Sequence, residues 1–72
     1  MPKLPVLSGR DVVKALERLG FAQMRQKGSH VILQRAGIGC VVPLHREIKT
    51  GTLAGIIRQA GLTQDEFMGV AR

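Results

Sequence analysis

One turn-forming segment, RQKGSH, combines side chains that could act on a phosphodiester. Arg25 and Lys27 could bind phosphate or stabilise negative charge that develops on phosphorus. Gly28 permits a turn with positive φ and close approach of a phosphate, and Ser29 could donate a hydrogen bond to it. His30 carries an imidazole, whose ordinary pKa near 6.5 allows proton exchange at cellular pH. The segment therefore predicts acid–base chemistry on a phosphate group.

Each residue of this segment also has an ordinary structural explanation. Glycine and serine are common in turns, where a serine hydroxyl often satisfies the neighbouring backbone. Arg25 and Lys27 could form a solvated basic face, and His30 could simply end the turn. No group that would activate a serine nucleophile is visible, so Ser29 is not predicted to attack the substrate. His30 is the candidate for proton transfer, a role worth roughly 10²- to 10⁴-fold in rate.

Three further residues, downstream of this segment, could assist it. His45 is the only other histidine, and two imidazoles can divide proton removal and donation between them. Arg46 and Lys49 precede the second predicted helix, whose free amides and positive dipole end attract anions. These cations could guide a second phosphate, or they could simply remain solvated. A shared role for His45 depends on its distance from His30.

No metal or organic cofactor is predicted. The two histidines, the single cysteine and the scattered acidic residues show no spacing typical of metal ligands. Gly51 and Gly55 lie within or beside an apolar helix rather than in a phosphate-binding glycine loop. With only two phenylalanines, an aromatic platform for base stacking is not expected.

Composition indicates one small globular domain, residues 1–72, with a strong attraction for polyanions. The 72-residue chain is 44% hydrophobic, and its formal net charge is +6. Nucleic acid is the polyanion that this charge favours, although an acidic protein partner is compatible.

The lone Cys40 cannot form an internal disulfide and is expected in the core. The N-terminal residues show no signal peptide and no membrane span follows, so a cytoplasmic protein without a membrane partner is expected.

Helix signals occur at both ends of the chain. Ser8 is predicted to cap a first helix, with Asp11 completing a capping box, and the helix runs to about Leu19. Gly20 is the expected stop. A second helix begins near Thr50, ends before Gly61 and buries a stripe formed by Leu53, Ile56, Ile57 and Ala60. A short terminal helix is predicted after a Thr63 cap, with Glu66 in a second capping box.

Three strands are predicted between the helices. They comprise residues 21–26, 30–35 and 40–44, with turns at 27–29 and 36–39. The resulting α+β order is α-β-β-β-α plus a final helical turn, with two helices on one face of a three-stranded antiparallel sheet. This order resembles the double-stranded RNA-binding domain fold. Alternation places His30 opposite Val31 and Leu33, so it is expected on the open face.

Five short motifs in succession carry a resemblance that covers nearly the whole chain. They are Gly20-Phe21, Lys27-Gly28-Ser29-His30, Val42-Pro43-Leu44-His45, Lys49-Thr50-Gly51-Thr52-Leu53 and Ala60-Gly61-Leu62-Thr63. In this arrangement the sequence resembles the HicA toxin family. The resemblance implies a toxin that cleaves messenger RNA without a metal and is held inactive by a HicB-type antitoxin. It also implies that the histidine of the Gly-Ser-His turn, here His30, is essential.

Three functions remain open at this point. The first is a ribonuclease toxin, the second a noncatalytic RNA-binding module, and the third a basic domain that docks an acidic protein. All three predict binding to a polyanion. They differ in whether purified protein cuts RNA and in whether that activity depends on His30.

Overall fold

The computed structural model describes residues 4–71, which form three helices and three strands. In chain order these are α1 (Gly9–Arg18), β1 (Ala22–Lys27), β2 (His30–Arg35), β3 (Ile38–Pro43), α2 (Thr50–Gln59) and α3 (Gln64–Val70). The strands form one antiparallel sheet in the order β1-β2-β3. The predicted α+β architecture is confirmed. No helix in this part of the chain is long and apolar enough to cross a membrane.

The ends of α1 follow the predicted signals with one exception. The Ser8 hydroxyl accepts a hydrogen bond from the Asp11 N–H at 3.1 Å, and Gly20 ends the helix region with a φ of 95°. Among residues 4–71, the reciprocal hydrogen bond, in which the Ser8 N–H would donate to the Asp11 carboxylate, is absent. A capping box normally uses the longer Glu or Gln side chain at this position, so the predicted box is wrong and the simple cap is right.

Both turns of the sheet have two residues, which corrects the predicted strand ends. Gly28, with a φ of 61°, and Ser29 join β1 to β2, so Lys27 belongs to the strand. Ala36 and Gly37 have φ values of 51° and 81° and join β2 to β3. Two successive positive φ values are typical of the tight hairpin turn that matches strand twist. The last strand consequently begins at Ile38 rather than Cys40, and it ends at Pro43 rather than Leu44.

A β-bulge in β1 determines which of its residues reach the open face. Gln23 pairs with Leu33, whereas Arg25 pairs with Ile32, so Met24 is the extra residue. A bulge bends the strand and reverses the alternation beyond it. Arg25 therefore shares a face with Ile32, and Met24 remains 58% exposed.

The core lies between one face of the sheet and the helices. Val31 and Leu33 of β2 and Cys40 and Val42 of β3 supply the sheet side. The helix side includes Val12, Leu16, Leu53, Ile56, Ile57, Ala60 and Phe67, all buried, and confirms the predicted stripe of the second helix. Burial raises the pKa of the Cys40 thiol, so it stays protonated and behaves as a small core residue.

The terminal helix α3 is held by the predicted capping box. The Thr63 N–H donates to the Glu66 carboxylate at 2.9 Å, and the Glu66 N–H donates to the Thr63 hydroxyl at 3.1 Å. The backbone hydrogen bond from Thr63 lowers the pKa of Glu66, because it favours the charged carboxylate. Arg18 connects α1 to α3 by donating to the Val70 carbonyl at 3.0 Å.

Candidate active site

His30 opens the central strand on the face that the helices leave free. Its Cα partners are Lys27 on β1 and Pro43 on β3, so it occupies the middle of a three-residue row across the sheet. The next residue, Val31, is only 2% exposed, whereas His30 is exposed. Because successive side chains of a strand point to opposite faces, the imidazole lies on the open face, as alternation predicts.

The turn before His30 is held from two sides. The Gln26 amide donates to the Gly28 carbonyl at 3.0 Å. The Ser29 carbonyl accepts a hydrogen bond of 2.6 Å from the N–H of Leu44, the first residue after β3. A Cβ at Gly28 would meet no atom within 4 Å, so glycine is favoured there by the positive φ and not by lack of space. The outer surface of the turn is therefore open. These contacts fix the backbone that carries the imidazole.

Two exposed cations share the open face with His30. Lys27 is the direct partner of His30, and paired side chains on one face lie about 4.5–5.5 Å apart at Cβ. Arg25 is paired with Ile32, one row further along. The described strand residues that belong to this face include no carboxylate. A phosphate that reaches His30 therefore meets positive charge from β1 and no opposing negative charge from the sheet.

His45 follows Pro43, the pairing partner of His30, by two residues, and it belongs to a loop. The strand β3 ends at Pro43, so His45 does not lie at the end of a strand. Alternation directs the Pro43 nitrogen to the free edge, so its missing N–H costs no ladder bond, and the Leu44 N–H still bonds the Ser29 carbonyl before the chain turns towards α1. There the Gly9 N–H donates to the His45 carbonyl at 2.8 Å. No hydrogen bond joins His45 to His30 within residues 4–71.

The other two predicted cations lie in the same loop, outside the His30 row. Arg46 and Lys49 are both exposed. Lys49 is the N-cap of α2, and this helix has no side-chain cap and no acidic residue in its first turn. The positive end of α2 is thus left to the solvent. Hydrogen bonds among the described residues do not connect either cation to the turn that carries His30.

Two features of the site escaped the sequence prediction. Val41 lies in an apolar run between the buried Cys40 and Val42, but it is 40% exposed on the open face. Strict period-two alternation through this run would have shown it. Gly9 contacts the exit of β3 so closely that a Cβ would lie 2.7 Å from the Leu44 Cα. A glycine directly after a helix cap is the one sequence signal for that contact.

The structure thus places Arg25, Lys27, Gly28, Ser29 and His30 on two paired strands and their turn, and it places Arg46 and Lys49 in the loop between β3 and α2. In residues 4–71 no group of three potential metal ligands among His, Cys, Asp and Glu lies close enough to hold an ion. The arrangement presents one titratable group and two fixed cations on an open surface. Such a set can move protons and bind phosphate.

Comparison with known proteins assigns the family. No curated protein matches the chain. Residues 9–62 match the model of a family described as HicA toxin of bacterial toxin-antitoxin. The match runs from the start of α1 through the sheet and α2, and it includes the turn that carries His30. Since it covers well over half of the 72 residues, the chain belongs to the HicA family of toxins from bacterial toxin–antitoxin systems.

Proposed function

We propose that this toxin is an endoribonuclease that cuts messenger RNA without a metal, with His30 in acid–base catalysis. One observation carries the proposal: His30 is exposed in a row with Lys27 on the face that the helices leave free. Membership of a toxin family supports a harmful activity, and the net charge of +6 supports a polyanionic target.

RNA supplies its own nucleophile, which explains how so small a site can suffice. A base removes the proton of the ribose 2′-hydroxyl, the 2′-oxygen attacks phosphorus, and the bond from phosphorus to the 5′-oxygen breaks. An acid protonates that leaving oxygen. The products are a 2′,3′-cyclic phosphate and a 5′-hydroxyl. His30 serves one of these proton transfers, and solvent or His45 serves the other.

The cations and the turn position the phosphate. Lys27, adjacent to His30, stabilises the charge that develops on the non-bridging oxygens, and Arg25 binds the next phosphate along the sheet. Gly28 and Ser29 leave an open turn surface where the RNA backbone can approach closely. Arg46 and Lys49 act further along the strand of RNA, near the uncapped start of α2.

We also propose that a HicB-type antitoxin neutralises the toxin in the cytoplasm by covering the open face. A toxin family implies an antitoxin, and a basic, partly apolar face without carboxylates favours an acidic partner. In a complex of the two proteins, His30 is expected to be inaccessible to RNA. A complex that leaves the imidazole fully open would contradict direct steric inhibition.

Cleavage in the presence of a chelator distinguishes the ribonuclease from its two alternatives. Purified toxin is expected to cut RNA in excess EDTA at the rate measured without it, because no step needs a metal. A noncatalytic RNA-binding module would bind the RNA without cutting it. A protein-docking domain would also leave the RNA intact, whether or not it binds it. Intact RNA after prolonged incubation, or activity that EDTA abolishes, would contradict the proposal.

A further inference from the structure

A groove runs along the free edge of β3, between this strand and the outer surface of α2. Its volume is about 400 Å³. We call it the edge groove, and the residues used below are Val41, Pro43, Thr52, Gly55, Arg58 and Gln59. This volume falls within the range of small-molecule sites in proteins. None of its residues belongs to the predicted phosphate-binding set.

The floor of the edge groove is apolar and begins beside His30. Val41 and Pro43 have open-face positions, because they pair with Ile32 and His30 of the central strand. Pro43 and His30 form a pair without mutual backbone hydrogen bonds, for which the Cα separation is about 4.5 Å. A group that rests on Pro43 and Val41 therefore lies one nucleotide or less from a phosphate at His30.

The wall of the edge groove offers hydrogen-bonding groups. Since the Leu44 N–H points to β2, alternation directs the N–H and C=O of Val41 to the free edge. Within residues 4–71 no backbone bond from outside the sheet reaches Val41. The Thr52 hydroxyl and the Gln59 amide add donors and acceptors from α2.

The charge of the groove selects among possible ligands. Arg58 is a cation on its rim, and no carboxylate lines it. A flat apolar face, a polar edge and an attached negative charge are the properties that match this floor, wall and rim. A nucleobase of a single-stranded RNA has all three. A base within a duplex does not, because its pairing edge is occupied and its faces are stacked.

We propose that the edge groove binds an unpaired nucleobase of the RNA next to the phosphodiester that His30 attacks. The inference rests on the proposed ribonuclease function and adds the feature that selects the substrate. The base packs on Val41 and Pro43, and its edge meets Val41 backbone groups and Gln59. The toxin accordingly favours single-stranded sites and discriminates between bases at one position beside the cut.

A groove-filling variant, Gly55→Leu, tests this inference without damaging the fold. A Cβ at Gly55 meets only the flexible end of Arg58, at 4.0 Å, and leucine favours a helix more than glycine does. Gly69→Leu in α3 is the matched control, because a Cβ there meets nothing within 4 Å. Both variants carry His30→Ala so that the RNA is not cut during binding.

The probes are short single-stranded RNAs of one sequence, each with an abasic ribose at a different position. Fluorescence anisotropy gives the Kd of each. We expect one abasic position to weaken binding to the Gly69→Leu protein by about tenfold, equivalent to about 1.4 kcal/mol. Gly55→Leu should bind the intact RNA about tenfold more weakly and show no further loss with that abasic probe.

The outcomes separate this inference from the function on which it rests. If no abasic position matters, or if Gly55→Leu retains the same penalty as its control, the edge groove does not bind a base. If Gly55→Leu binds RNA with unchanged affinity, the inference is also overturned, and a protein becomes the remaining candidate ligand of the groove. The ribonuclease proposal is tested separately, by cleavage with the unmodified His30 site.

Discussion

Replacing His30 with alanine is expected to lower the kcat of RNA cleavage by about 10²- to 10⁴-fold while the Kd for RNA changes little. The imidazole is exposed, so its removal leaves no cavity and no unpaired buried group. Lys27 and Arg25 remain on the same face and keep most of the phosphate contacts. Single-turnover cleavage and a binding titration with an uncleavable RNA measure the two effects separately.

Two companion variants make this result specific. Gln34→Ala changes an exposed residue of the same strand and the same face, and its kcat should stay within about twofold of the wild type. His45→Ala decides how the proton transfers are divided. A loss of about tenfold or more assigns one transfer to His45, and a smaller loss assigns it to solvent. Full activity in His30→Ala would place the chemistry elsewhere.

Replacing Gly9 with alanine is expected to destabilise the fold by about 1–3 kcal/mol, as overpacking of a tight contact typically does. The added Cβ would lie 2.7 Å from the Leu44 Cα and closer still to the Pro43 carbonyl oxygen, both of them backbone atoms. For a domain of this size, each kcal/mol lowers Tm by about 4–8 °C. Thermal unfolding followed by circular dichroism measures the shift.

The same substitution should also impair cleavage at temperatures where the protein is folded. Moving Leu44 disturbs its hydrogen bond to the Ser29 carbonyl and thereby the turn that carries His30. A displacement of about 1 Å can cost up to about 10²-fold in rate. Gly69→Ala is the control, since alanine there meets nothing and favours the helix. Equal stability of the two variants would show that Gly9 does not tie α1 to the site.

The order of the elements and the face of His30 followed from local signals in the sequence. Ser8 and Thr63 are helix caps whose hydroxyls bond the expected backbone groups. Val31 and Leu33 occupy alternate positions of β2 with their side chains in the core, and strand alternation then determines that His30 faces away from it. These features depend on residues a few positions apart, so a single sequence is sufficient to predict them.

The parts that the sequence did not predict depend on contacts between distant segments. The bulge at Met24 becomes visible only when β1 is aligned with β2, because it is a property of the pair. Likewise, His45 leaves the sheet because its carbonyl bonds Gly9, a residue far away in the chain. The edge groove needs β3 and α2 side by side, which no local pattern specifies.

The central claim is that the chain cuts RNA by using the ribose 2′-hydroxyl as the nucleophile, with His30 moving a proton. The most direct measurement is cleavage, in EDTA, of an RNA and of its copy with a 2′-deoxyribose at the cut position. We expect the RNA to yield a 2′,3′-cyclic phosphate and a 5′-hydroxyl, and the copy to remain uncut at that position. Cleavage of both at the same position, or RNA products that end in a 5′-phosphate, would contradict the claim.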